Sequence, residues 1–242
     1  MTVEWTLTDD LVDYPTALDH MEKRVAAIKA GTSGEQVWLL QHPPLYTAGT
    51  SSKPSDLVDP ERFPVYDAGR GGQYTYHGPG QRVGYLMLDL TKRGRDIRRY
   101  IWLVEEVMIR SLADLGVIAE RKAGRVGVWV THGDGREEKI AAIGVRVRSW
   151  ITFHGFAINA FPDLSHFEGI VPCGIAEHGV TSLKALGRPY SFEVLDARLM
   201  HHFEALFGNE PKPMPAIEEY LASIVTEKKV SDPIMAAHDS FV

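Results

Sequence analysis

The 242-residue chain is 44% hydrophobic and 24% charged, the balance of an ordinary folded protein and not of a disordered or fibrous one. Its formal charge of −6 speaks against nucleic acid as the main partner, and its single cysteine, Cys173, excludes an intramolecular disulfide and favours a reducing, cytoplasmic setting. No window approaches the ~18 consecutive apolar residues of a membrane span, and the start MTVEWTLTDD lacks the charged-then-apolar pattern of a secretory leader.

In chain order, Leu18, Met21, Val25 and Ile28 recur at spacings of three and four and Gly31 follows, which predicts an amphipathic helix with a glycine stop. QVWLLQ, ended by Pro43 and Pro44, predicts a buried strand, and a polar, proline-containing connection then runs to about Pro64. The glycine-rich stretch RGGQYTYHGPGQ leads into a strand over 82–90. Ile97, Tyr100, Ile101, Val104, Met108, Leu112 and Leu115 mark one face of a helix that begins near Asp96 and ends at Gly116. RVGVWV and KIAAIGVRV flank the turn-rich THGDGREE and predict a hairpin, and SWITFHGFAIN alternates as a third strand. In that third strand Ile151, Phe153, Gly155 and Ala157 oppose Thr152, His154, Phe156 and Ile158. VTSLKALG predicts a short helix and SFEVLDARLMHHFEALFG a closing one. Residues 1–210 are expected to form one α+β or mixed α/β domain, and 211–242 an appendage outside its core.

Three features carry chemistry. The segment from Arg70 to Tyr85 matches neither phosphate-binding fingerprint, because no Gly-Lys-Ser/Thr follows its glycines and a strand, not a helix, comes after it. Gly71 and Gly72 suit a bare turn equally well, but the polar side chains crowded between the glycines suit a loop whose backbone closely approaches a ligand. Cys173 lies between Pro172 and Gly174, on a bend that can present a thiol; the plain alternative is a buried small hydrophobe. A thiol with a pKa of ~8.5 needs a cation or base to become a nucleophile at neutral pH. His77, His154, His166, His178 and Lys139 are the candidates. Strand alternation puts Lys139 on the side of Ala141, Ile143 and Val145, drawn toward the core; the alternative is a strand-end lysine in solvent. A desolvated Lys139 can serve as a base, and a protonated one beside Cys173 favours the thiolate. The histidines show no metal-ligand spacing, so no metal is expected. Lys92, Arg93, Arg95, Arg98 and Arg99 read as a solvated helix face able to steer an acidic partner.

Taken together these residues resemble the lipoyl(octanoyl) transferase family of lipoate biosynthesis. Its run R-G-G-x-x-T-aromatic-H-x-x-G-Q-x-V-x-Y is met at Arg70, Gly71, Gly72, Thr75, Tyr76, His77, Gly80, Gln81, Val83 and Tyr85. The likeness continues in KIAAIGVRV, TFHGFAIN, PCGI and GVTSL. The resemblance implies a biotin/lipoate protein ligase-like catalytic domain, with mixed β-sheets flanked by helices. It implies octanoyl transfer from octanoyl-acyl carrier protein to a lysine of lipoyl domains, those of 2-oxoacid dehydrogenases and glycine cleavage proteins, with no cofactor. It makes Cys173 the nucleophile and Lys139 the residue that tunes it. Substrate-binding segments fall on Arg70, Gly71, Gly72, Gln73, Tyr74, Thr75, Tyr76 and His77, then on Ala142, Ile143 and Gly144, and on Gly155, Phe156 and Ala157, with Tyr76 among the residues lining the acyl chain. An ATP-dependent lipoate or biotin protein ligase is the rival reading among enzymes, and a non-catalytic carrier-protein binder of the same fold is a second.

Overall fold

The computed structural model describes residues 3–171, 178–189 and 191–208; Cys173 and the appendage expected over 211–242 lie outside the described residues. Strand β1 (Glu4–Leu11) leads into helix α1 (Tyr14–Ala30) and strand β2 (Gln36–Gln41). Three short strands follow, β3 (Leu45–Ala48), β4 (Val65–Asp67) and β5 (Thr75–His77), and then β6 (Gln81–Met87) and helix α2 (Ile97–Asp114). The second half supplies β7 (Glu120–Lys122), β8 (Arg125–Thr131), β9 (Glu137–Arg148), β10 (Ile151–Asn159), β11 (Gly179–Val180) and helix α3 (Phe192–Phe207).

The main sheet runs β1-β2-β6-β10-β9-β8-β7, with β11 also paired to β9, and β4-β3-β5 form a second, small sheet. In the main sheet β1 lies parallel to β2 and β11 parallel to β9; the other pairs are antiparallel. Side chains alternate across it. Trp38, Leu40, Val83, Tyr85 and Met87 face α1, which buries Ala17, Met21, Val25 and Ile28 against them. Val37, Leu39, Leu86 and Leu88 face the other way, toward Val104, Met108 and Leu112 of α2 and Leu195, Leu199 and Phe203 of α3. A third cluster of Tyr46, Tyr74, Tyr76, Phe167 and Ile170 packs the small sheet.

The helices begin and end where their caps sit. Asp13 accepts from Thr16 N at the start of α1, and Gly31, at φ +72, closes it in a left-handed turn that a side chain would strain. Asp96 and Ser191 cap α2 and α3 in the same way. Two stretches differ from the sequence expectation. The short helix expected within 180–187 is strand β11 followed by turns, because Thr181 N and Leu183 N are taken by the Lys139 and Asn159 carbonyls of the sheet. The polar connection before Pro64 contains β3, and β4 follows it directly; their short pairings build the small sheet.

Candidate active site

A cavity of about 300 Å³ lies between the α1 face of the main sheet and the small sheet. The Arg70–Gln73 loop closes one side. Arg70, 7% exposed, donates from Nη1 to the Gly71 and Gln73 carbonyls at 3.0 and 3.1 Å, and from Nη2 to Thr47 O at 3.1 Å and Thr47 Oγ1 at 2.7 Å. The guanidinium thus curls the loop around itself and pins it to β3. Its stem crosses Gly144, where an added Cβ would stand 2.5 Å from Arg70 Cδ, so the bare backbone of β9 is what lets the arginine through. Gly71 N donates to Val145 O at 3.0 Å and fastens the loop to the main sheet.

The wall beneath α1 is a cluster of neutral polar rings. His42 Nδ1 donates to Val12 O at 2.5 Å, which leaves Nε2 to accept from Tyr85 OH at 2.7 Å. His77 Nδ1 donates to Gln81 Oε1 at 2.7 Å, an assignment fixed because Gln81 Nε2 must donate to the Tyr76 carbonyl. Tyr14 Oη lies 3.1 Å from His154 Nε2. Burial drives the His42 pKa down to about 4; burial and the charges of Arg70 and Arg146 drive His154 to about 3. His77 is held well below its usual value by burial and by His42 beside it. At neutral pH this wall is polar in shape but carries no charge.

The opposite end is charged. Lys139, 8% exposed, lines the cavity with its Nζ 4.7 Å from the centre of the Trp129 ring. The sequence alternation had put Lys139 on the side of Ala141, and the structure corrects this. Val128 pairs with Ala141, but Trp129 pairs with Lys139, so one extra residue is inserted in β9 between these pairs. The bulge sends both Ile140 and Ala141 to the core and turns Lys139 to the cavity. Immediately beside it, Gly179 and Val180 pair with Glu138 and Lys139, and Thr181 N donates to Lys139 O at 3.0 Å. A hydrogen-bond chain runs on from there. Asn159 Nδ2 donates to Thr181 O, and Asn159 Oδ1 accepts from Gln81 Nε2, both at 3.0 Å, so that His77 and Lys139 are braced through one set of amides.

Of the expected binding residues, Arg70, Gly72, Gln73, Tyr74, Thr75 and His77 border the cavity, as do Ala142, Ile143 and Gly144 on β9 and Gly155, Phe156 and Ala157 on β10. Gly71 and Tyr76 do not. Tyr76 was expected along the acyl chain, but it turns into the aromatic cluster of the small sheet, where its ring packs on Phe63 and Phe167 and its hydroxyl lies 2.8 Å from His166 Nδ1. His154 also departs from its expected side. Its φ of +55 breaks the alternation of β10 and swings the ring toward Tyr14 and Tyr85. Tyr14, Thr47 and Trp129, which read in the sequence as plain core residues, also line the cavity, as does Tyr85, the last position of the family run. Among the described residues no three His, Cys, Asp or Glu side chains gather as metal ligands, and no helix is long and apolar enough to cross a membrane.

Comparison with known proteins gives one family. Residues 13–204 match the lipoyl protein ligase A/B catalytic domain. The chain is 62% identical over 209 residues to the octanoyltransferase of Rhodospirillum rubrum, covering 86% of this chain and 97% of that protein. It is 65% identical over 206 residues to that of Paramagnetospirillum magneticum, covering 85% and 97%. Among solved structures, a lipoate-protein ligase A bound with ATP superposes with a TM-score of 0.64 at 16% identity, over 96% of this chain and 97% of that one. The bipartite lipoate protein ligase of Thermoplasma acidophilum gives a TM-score of 0.60 at 17% identity, over 96% and 95%. At those identities the two structures speak for the fold alone.

Proposed function

The chain belongs to the lipoyl protein ligase A/B catalytic-domain family, and we propose that it works as an octanoyltransferase in two steps through a thioester on Cys173. The donor is octanoyl-acyl carrier protein. The acceptors are lysines of lipoyl domains, those of 2-oxoacid dehydrogenases and glycine cleavage proteins, and the setting is the cytoplasm.

In the first step the Cys173 thiolate attacks the donor thioester carbonyl; the new C–S bond forms, the old one breaks, and the departing carrier thiolate takes a proton from the Lys139 ammonium. In the second step the neutral acceptor amine attacks the same carbon. The C–N bond forms, Cys173 leaves as thiolate, and the proton shed by nitrogen returns to Lys139, so both groups end as they began. One thioester replaces another at little cost, and formation of the amide drives the sequence forward without ATP. A thiolate serves both steps because it is a good nucleophile and a good leaving group. Arg70, Gln73, Thr75 and His77 shape the polar side of the binding site, while the small residues Ala142, Gly144, Gly155 and Ala157 leave room for the acyl chain.

The observation that carries this reading is that Lys139 faces the cavity while bonded directly to β11, the strand that follows the Cys173 segment by a few residues. Incubation with octanoyl-acyl carrier protein should add one octanoyl group to the intact protein, and Cys173→Ala should take up none. A Cys173→Ala protein that still transfers at the normal rate would refute the covalent route. Transfer that depends on ATP and spares the cysteine would favour the ligase reading instead.

A further inference from the structure

Lys139 has a long, flexible side chain, and a group that must give and take a proton at a fixed place needs its head held. The structure supplies a seat for it. The bulge between Trp129 and Ala141 brings Trp129 directly opposite Lys139. The lysine stem passes over Gly127, where a Cβ would stand 3.3 Å from Lys139 Cε and 2.8 Å from Ala141 O. Gly127 has φ +123, a conformation that side chains rarely adopt, so the gap is kept by backbone shape as well as by the missing side chain. The ammonium then rests 4.7 Å from the centre of the Trp129 ring.

The ring itself is locked in place. Trp129 Nε1 donates to Arg125 O at 3.1 Å, and the Arg125 guanidinium lies 4.7 Å from the same ring centre. Arg125 is tied in turn to Glu137 Oε2 and His178 Nε2, each at 2.5 Å, and His178 sits edge-on to the indole. Glu105 of α2 accepts from Gly127 N at 3.1 Å from below.

Resting on the reading of Lys139 as the group that tunes Cys173, we infer that Trp129 is a positioning residue for the reaction. Its negative ring face attracts the ammonium and fixes the point from which Lys139 acts on the thiol. The role is distinct from packing, because a large apolar side chain at 129 would fill the same space without attracting a cation.

The test uses the full chain and its single thiol. The rate of iodoacetamide alkylation of Cys173 is followed against pH in the natural protein, in Lys139→Ala, in Trp129→Phe and Trp129→Met, and in the double variant Lys139→Ala with Trp129→Met. Charged or titrating neighbours, namely Arg125, Glu105, Glu137, Glu138 and His178, are the same in every variant. Trp129→Met should slow alkylation at neutral pH by about 5- to 30-fold, the factor that a desolvated cation–aromatic contact supports, and displace the profile to higher pH. Trp129→Phe keeps an aromatic face and should lose clearly less than Trp129→Met. Comparing the two cancels most of the packing loss common to both. The double variant should match Lys139→Ala alone. Equal profiles for Trp129→Met and the natural protein, equal losses in the Phe and Met variants, or an additive loss in the double variant would each overturn the positioning role. If Lys139→Ala itself leaves the profile unmoved, the reading of Lys139 falls and the role of Trp129 falls with it; if Lys139→Ala behaves as expected and Trp129→Met does not, only the latter falls.

Discussion

The neutral histidine wall makes stability depend on pH in a window that few other groups touch. His42, His77 and His154 are each held in the folded protein below the ordinary histidine value of 6.5, the first at about 4 and the third at about 3. Between 6.5 and those folded values the unfolded chain binds the protons and the native protein does not. The stability these groups contribute is therefore complete above pH 6.5 and is lost as pH falls toward 4. One pH unit below 6.5, His42 and His154 each cost about RT ln 11, or about 1.4 kcal/mol, because their folded values lie well below that pH. Lowering pH from 7.5 to 5.5 should thus remove about 3 kcal/mol over His42 and His154, with His77 adding in the same direction, a large share of the ~5–15 kcal/mol that holds a domain together. Carboxylates held low by partners, such as Glu137 by Lys122 and Arg125, respond only below their own ordinary value of 4.5, outside this window. Urea unfolding followed by tryptophan fluorescence at pH 7.5, 6.5 and 5.5, at constant salt, measures the loss. His42→Asn keeps a donor for Val12 O and removes one titrating site, so its slope should fall by about one proton. A loss under about 1 kcal/mol across the window, or an unchanged slope in His42→Asn, would mean that the wall does not exclude protons as its burial requires.

Two further changes probe the support of the site and its depth. Arg82 is 1% exposed and forms a two-pronged pair with Asp196 of α3, through Nε to Oδ1 at 2.8 Å and Nη2 to Oδ2, while its guanidinium lies 4.9 Å from the Phe192 ring centre. Arg82→Met strands a buried carboxylate and should cost about 3–5 kcal/mol, lowering the melting temperature by roughly 6–20 °C; a shift of under 2 °C in calorimetry would show that α3 does not depend on the pair. Ala142→Leu puts bulk into the cavity wall between the two ends. Each methylene denied burial costs about 0.8 kcal/mol, so transfer of octanoyl should fall by about fourfold or more per excluded carbon, while hexanoyl or butanoyl donors keep their rates. Equal losses for all chain lengths in a competition assay would show that Ala142 does not bound the acyl chain.

Much of this site could be read in the chain because its glycines and polar residues are close together: Arg70 to His77 is one continuous stretch, and the hairpin of β8 and β9 announces itself by alternation around a turn. What escaped has physical causes. The bulge that turns Lys139 leaves only a faint trace, the neighbouring apolar Ile140 and Ala141 and the strained Gly127 across from them, and alternation alone points the lysine the wrong way. His154 is reversed by a left-handed backbone that histidine tolerates better than most residues but that no spacing reveals. Strand β1 is a half-exposed edge strand, rich in Thr, Asp and Glu and without a clean apolar period, and the strands of the small sheet are only three or four residues long. Short elements made by distant pairings have no local signal to read.

The cavity has a Lys139 end and an end of neutral histidine rings beside the Arg70 guanidinium, and on the proposed reading the distance between them bears on how an acyl group lies. His154 pairs with Val145, six positions along β9 from Lys139, which is roughly 20 Å of strand. The seven C–C bonds of an extended octanoyl chain project to roughly 9 Å, so a chain whose thioester lies within reach of the Lys139 side chain runs toward the histidine wall and extends through only part of that span. Two of the three imidazoles, His77 and His154, border the cavity; protonated they would add charge to the stretch beyond the methyl end, whereas neutral they add none. On the proposed reading, the depressed pKa values of the wall keep added charge away from the apolar end of the substrate, while Lys139 acts at the reacting end. On that reading, a single cavity holds a charge-dependent reaction at one end and an apolar chain that runs toward neutral rings at the other.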